Sequence, residues 1–379
     1  MVKVRCARLL LERHLHARRR STIRDHFSHG KSYQRDHETA IHPKSCQLSI
    51  DHRGINLLEI IEDRGKNTYD GLANLYSIIC KNMNRYSPLV TLSYLIGPTL
   101  IILSHVGSLL ILFTGLSWGA LIWIILLYVA RMLATTSIYH RLLTHKSYHA
   151  PKFVLWLGSV VAASAGQMGP SWWKAHHLEH HQYVDQECDP HSPLSPDQGI
   201  KGFLWSQGGW LLSPQFFPQK LPLDVENDQI LRSIDRLHFL PMLGLGVISY
   251  GIGGLEYLAA FFISTTILFH GVQTVNSLSH LVGKQPFQTD DYSRNNLFVA
   301  LITFGEGWHN LHHAFPNSSR HGITFDQGKV VYLPDFTFNF IKFLKLLRLA
   351  SKLKIPNEMI LLKRTKKSIS GSDSHIPST

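Results

Sequence analysis

The chain lacks most of the signatures by which soluble metalloenzymes hold their metals. Its four cysteines (Cys6, Cys46, Cys80 and Cys188) are scattered, with no C-x-x-C pair. That excludes a zinc ribbon and a disulfide framework, and isolated thiols suit a reducing compartment. There is no H-E-x-x-H, so a zincin helix is excluded, and no C-x-x-C-H for covalent heme. A carboxylate-bridged di-iron bundle needs two Glu-x-x-His motifs; only Glu306-Gly-Trp-His309 fits, and it has no mate. Acid is scarce overall. Asp and Glu number 26 against 38 Lys and Arg, a net charge of +12, so an anionic partner such as a membrane surface is expected. Nucleic acid is not, because no recognition motif accompanies the basic residues.

Charge is also missing from long stretches. Mean hydropathy is -0.02, but that average hides segregation. Residues 89–114 contain no Lys, Arg, Asp or Glu; 116–138 contain only Arg131, and 239–269 only Glu256. A membrane-spanning helix needs ~20 mostly apolar residues, whereas a core helix in water keeps a polar face. The runs predict four spans, at about 90–111, 117–139, 238–254 and 257–276, paired into two hairpins by 112–116 and by the Gly253-Gly254 turn. Residues 153–166 are apolar but short, which suggests an interfacial or re-entrant helix. The hairpin links carry no Lys or Arg, whereas the flanking segments are basic. Positive charge favours the cytoplasm, so both termini and a cap built from 140–237 and 277–356 are expected there. The fold class is thus an all-α integral membrane protein with four transmembrane helices and a cytosolic helical cap.

Outside the spans, residues 1–85 read as a basic, polar, largely disordered tail. They hold no apolar stretch followed by a small-residue cleavage site, so they are not read as a secretory signal. Residues 336–354 alternate aromatic and Leu residues with Lys and Arg near helical spacing, which suits a basic amphipathic helix on a membrane. The last stretch, 357–379, is expected to be a disordered tail.

Histidine is what the chain has in excess, with 24. Nine fall into four clusters: His140 and His145; His177, His180 and His181; His280; and His309, His312 and His313. Residues three or four apart share a helix face, so each H-x-x-H-H triplet presents three imidazoles together. His140 and His145, five apart, suit a helix end where the chain begins to unwind. Neutral imidazole binds iron, copper, nickel or zinc. One structural zinc uses about four ligands, so nine clustered histidines imply two metals. The span count puts all nine at one membrane face. His105, His238 and His270 read instead as tolerated polar residues near the membrane, and His149, His176, His191 and His321 as outer contacts or surface residues.

These clusters resemble the histidine boxes of the membrane fatty acid desaturase superfamily over residues 87–356. The added Asn276-Ser-Leu-Ser-His280, Asp189-Pro-His191, Gly209-Trp-Leu-Leu212 and Glu306-Gly-Trp-His-Asn310 resemble its acyl-CoA Δ9, stearoyl-CoA desaturase-like branch. The resemblance implies a di-iron centre held by the nine histidines and, through a water, by Asn276. It implies a bent acyl tunnel kinked near Gln167 and Trp173. No H-P-G-G heme motif appears, so a separate cytochrome b5- or ferredoxin-like electron donor is implied. The reaction implied is insertion of a cis double bond into a saturated fatty acyl-CoA, using O2 and two electrons. Hydroxylation on the same scaffold, or desaturation of lipid-linked chains, remains open at this level.

Overall fold

The computed structural model describes residues 86–195, 198–326 and 329–365; the expectations for 1–85 and 366–379 lie outside them. Among the described residues, three helical stretches are long and apolar enough to cross a membrane: Pro88–Thr114, Trp118–Thr144 and Phe239–Leu281. Helix α1 (Pro88–Ser108) opens with Ser87 accepting from the Val90 amide and with Pro88 in its first turn. Such a start satisfies otherwise orphaned donors. Helix α2 (Trp118–Ala134) is capped in the same way by Ser117. Outward-facing side chains of these helices such as Leu92, Ile102, Ile122 and Ile125 are exposed, as a helix meeting lipid requires.

The third stretch, α6 (Phe239–Leu281), is two arms. Gly253 and Gly254 leave helical geometry, and Gly254 takes φ +64°, a conformation that favours glycine. Met242 of the first arm and Phe261 of the second meet in one cluster with Leu127, so the helix folds back on itself. Ser117 and Glu256 are hydrogen-bonded, which brings the two hairpin links together. The one buried charge in α2, Arg131, donates to Leu127 O, Ser164 O, Thr265 Oγ1 and Ser264 Oγ. It therefore staples α2 to α6 without a carboxylate.

The remaining elements lie between and after these stretches. Among them are α3 (Lys152–Ala163), α4 (Pro170–Tyr183), α5 (Gln229–Arg236), α7 (His309–Ala314), α8 (Phe336–Leu346) and α9 (Glu358–Lys363). At 12 residues, α3 is too short to cross a bilayer. Strands β1 (Ile323–Asp326) and β2 (Lys329–Tyr332) pair antiparallel, a small departure from the all-α expectation. Helix α9 is a second departure. It occupies the start of the stretch expected to be a disordered tail, because Leu361 is buried with Phe287, Leu311 and Ile323. Cys188 is disulfide-bonded, which corrects the expectation of isolated thiols.

Two carboxylates organise the polar half. Asp235 accepts from the Ser171 and Trp172 amides at the start of α4, and from Tyr94 and Arg236. It thereby caps one helix and ties it to α1. Asp335 caps α8 through the Phe338 amide and accepts from the His321 and Gly322 amides. The inner face of α8 packs Ile341 and Leu344 onto Ile138 and Leu142, while Lys342, Phe343, Lys345 and Leu346 face outward. That agrees with an amphipathic helix.

Candidate metal centre

All nine histidines converge. His140 lies on a π-helix, Thr135–Thr144, continuing α2, and His145 caps its end, the His145 amide donating to His140 O at 3.1 Å. The helix ends at His145, as the five-residue spacing suggests, but its last turns widen first. An i→i+5 ladder brings residues five apart onto one face, and such bulges recur at functional sites. Buried Lys174 of α4 donates to Leu143 O and pairs with Asp224, fixing α4 against this helix. The triplet His177, His180 and His181 occupies the end of α4, His280 the last turn of α6, and His309, His312 and His313 the helix α7.

The Nε2 atoms form two adjoining groups. In one, His145–His177, His177–His181, His181–His312 and His140–His312 separations are 2.8, 3.1, 2.8 and 3.1 Å. In the other, His309 lies 3.0 Å from both His280 and His313, with His180 alongside. His180 Nε2 is buried and has no hydrogen-bond partner.

The outer ring nitrogens explain why these lone pairs point inward. His140 Nδ1 lies 2.6 Å from Glu306, His180 Nδ1 2.8 Å from Asp189, His280 Nδ1 2.9 Å from Asp185 and His313 Nδ1 3.0 Å from Asp291. Each carboxylate accepts a hydrogen bond from Nδ1–H, which fixes the proton there and leaves Nε2 as a ligand, the usual device around metal-bound histidine. Burial, then the neighbouring imidazoles, hold His177, His309 and His312 well below the usual histidine range. Burial alone would raise the Glu306 carboxyl, but Arg141, His140 and His321 outweigh it and hold it well below the usual range. Asp189 is likewise lowered, by His180 against its own burial.

The donor set fits metal ions. His309 Nε2 faces two nitrogens whose protons sit on their far sides, and it can donate to only one. A cation removes that conflict. Nitrogens sharing a metal at ~2.1 Å and right angles lie ~3.0 Å apart, which matches the spacings within both groups.

Beside the histidines lies a cavity of about 60 Å³ whose walls include Gln167, Trp173, His177, Phe269 and Asn276. Trp173 stacks on His177 with centroids 4.9 Å apart. Buried Gln167 has an Nε2 without a partner, and Asn276 donates to Gln273. Gly97 lets α1 close over it, since a Cβ there would lie 2.0 Å from Met168 Sδ.

Of the backing residues, the carboxylates and Arg141 carry no assignment from sequence, whereas His176, His191 and His321 read there as outer contacts or surface residues. Arg141 is fully buried and pairs with both Glu306 and Asp335. His321 is buried 3.2 Å from Glu306, and His176 and His191 are also buried, whereas His149 is exposed. Some signal existed: Asp185 and Asp189 follow His181 by four and eight residues, and Glu306 precedes His309 by three. Asp291 comes from a loop and left no such trace.

Comparison with known proteins agrees with this site. The family described as fatty acid desaturase matches residues 115–323. The chain is 35% identical over 270 residues to the chloroplastic palmitoyl-monogalactosyldiacylglycerol delta-7 desaturase of Arabidopsis thaliana, covering 69% of each chain. It is 35% identical to an acyl-CoA 5-desaturase of Anemone leveillei, covering 64% of this chain and 74% of that one. It is 34% identical to the sn-1 stearoyl-lipid 9-desaturase of a Synechocystis strain, with the same coverages. With two adjoining groups of imidazole nitrogens, apolar helices able to cross a bilayer and a family match over more than half its length, the chain belongs to the membrane fatty acid desaturase superfamily, in its Δ9-like branch.

Proposed function

We propose that this protein is a di-iron fatty acyl-CoA desaturase that inserts a cis double bond at the Δ9 position of a saturated chain. The observation carrying this reading is the convergence of nine imidazoles into two carboxylate-backed groups at the wall of a narrow cavity. His140, His145, His177, His181 and His312 would hold one iron, and His180, His280, His309 and His313 the other, with Asn276 reaching the latter through a water. Two irons bound there supply, with O2 and two electrons from a separate cytochrome b5- or ferredoxin-like donor, the oxidising power that an unactivated methylene C–H bond demands.

The chain's own residues do the rest. Glu306, Asp185, Asp189 and Asp291 fix the imidazole tautomers and hold the Nδ1 protons away from the reacting space. Trp173, stacked on His177, offers a flat apolar wall that orients two neighbouring methylenes on one side, and Gln167 marks the bend. The apolar walls exclude water, which limits side reactions. Regioselectivity follows from the depth to which the chain is seated. Four spans, with both termini and the metal centre at the cytoplasmic face, would set that depth against the membrane surface.

Expression in a host lacking unsaturated fatty acid synthesis tests the reading. Δ9 cis-monoenes are expected in the lipid extract. Hydroxylated chains, or no new product from a metal-loaded protein, would overturn it. A double bond at another position, or labelling confined to intact glycerolipid, would correct the position or the acyl carrier.

A further inference from the structure

A second cavity of about 290 Å³ shares Pro98, Ile101, Leu211 and Phe269 with the cavity beside the metal centre. These four side chains are the wall between the two cavities. The outer cavity is bounded by α1, the second arm of α6 and residues 204–212, and its rim carries His105 and His270. His270 lies six residues inside the expected end of its span at 276, about 9 Å along the helix, which puts this rim within the apolar layer. Ionisable side chains at such depth are costly and mark function more often than chance.

The two imidazoles are joined. His105 Nδ1 lies 2.7 Å from Ile101 O and must donate to it, which leaves its Nε2 as a lone pair. His270 Nε2–H then donates to that atom at 2.9 Å, the rings standing edge to face. The bond ties α1 to the second arm of α6 across the outer cavity. The sequence reading had treated both residues as merely tolerated.

We propose that the His105–His270 pair is a chain-length determinant, the outer stop for the methyl end of the acyl substrate. The inference rests on the desaturase reading, with the acyl tail parting the Leu211 and Phe269 side chains to enter the outer cavity. A charged or polar head group cannot sit in the apolar layer, so the end that reaches this rim is the hydrocarbon tail. A tail long enough to part the helices leaves imidazole groups without partners in surroundings that hold no water. Chains that stop short meet no such penalty. The pair therefore acts on which chain is seated, not on the metal centre.

The test is product analysis in a host without its own desaturase, fed saturated fatty acids of increasing length. His105→Ala and His270→Ala are expected to shift the product ratio toward longer chains, by about the ten-fold that a methylene or two carries in an apolar pocket. Metal content should not change. His270→Gln, which keeps a hydrogen-bonding group, should retain the original profile, and Leu211→Phe should shift products toward shorter chains by thickening the wall between the cavities. Unsaturated products with an unaltered length profile in both Ala variants would overturn the inference and leave the desaturase reading standing. No unsaturated product from the unsubstituted protein would overturn both.

Discussion

At the scale of the residue, four carboxylates decide what nine histidines can do. An imidazole whose Nδ1 proton is held by Asp189 or Asp185 presents a lone pair at Nε2; without the acid, the tautomer is free. Asp189→Asn and Asp185→Asn are therefore expected to weaken metal affinity by about 10–100-fold while the apo-protein keeps its fold. Metal titration monitored alongside circular dichroism checks both halves. Glu306 has a heavier task, since it also neutralises Arg141. Glu306→Gln leaves the buried guanidinium with Asp335 alone, and breaking a buried pair of this kind costs about 3–5 kcal/mol. The thermal midpoint of Glu306→Gln should fall well below that of Asp189→Asn, and equal midpoints would refute the clamp. The histidines were legible because their three-, four- and five-residue spacings repeat along the chain. The acids were not, because what selects them is position in space. Asp291 reaches His313 from a loop, and no period in the sequence announces that.

At the scale of the element, the apolar runs marked α1, α2 and both arms of α6, and Gly253-Gly254 marked the fold-back. Gly254→Ala puts a side chain at φ +64°, at a cost of about 1–2 kcal/mol; a lowered thermal midpoint in detergent is expected. The π-helix was not legible. Five-residue spacing pointed to a helix end, because on an α-helix such residues lie about 140° apart. The helix does end at His145, and the wider ladder of its last turns is what faces both imidazoles one way; the cost is borne by packing: Thr135 to Thr144 are all buried. Deleting Ser137 should restore α-helical register and carry His145 away from His140. Bound metal should fall to roughly half and desaturation should cease; unchanged metal content would show that the π-helix is incidental. Helix α9 escaped the sequence reading because a six-residue helix owes its order to one buried contact, Leu361, and not to its own pattern.

At the scale of the whole molecule, the membrane supplies the frame. The links at 112–116 and 252–256 meet through Ser117 and Glu256, while the histidines gather at the other ends of these helices. Cysteines introduced at Phe113 and Gly251 should react with a membrane-impermeant maleimide only from the non-cytoplasmic side, and one at Lys201 only from the cytoplasmic side. Labelling of all three from one side would contradict four crossings. The gathering of every box at one end of the bundle is the feature from which the functional argument proceeds, and it rests on two metals being held there. The most direct measurement is the iron content of the purified full chain by mass spectrometry. The account predicts close to two irons per chain, with His180→Ala losing metal and activity together. A single zinc per chain, or full activity in His180→Ala, would contradict it.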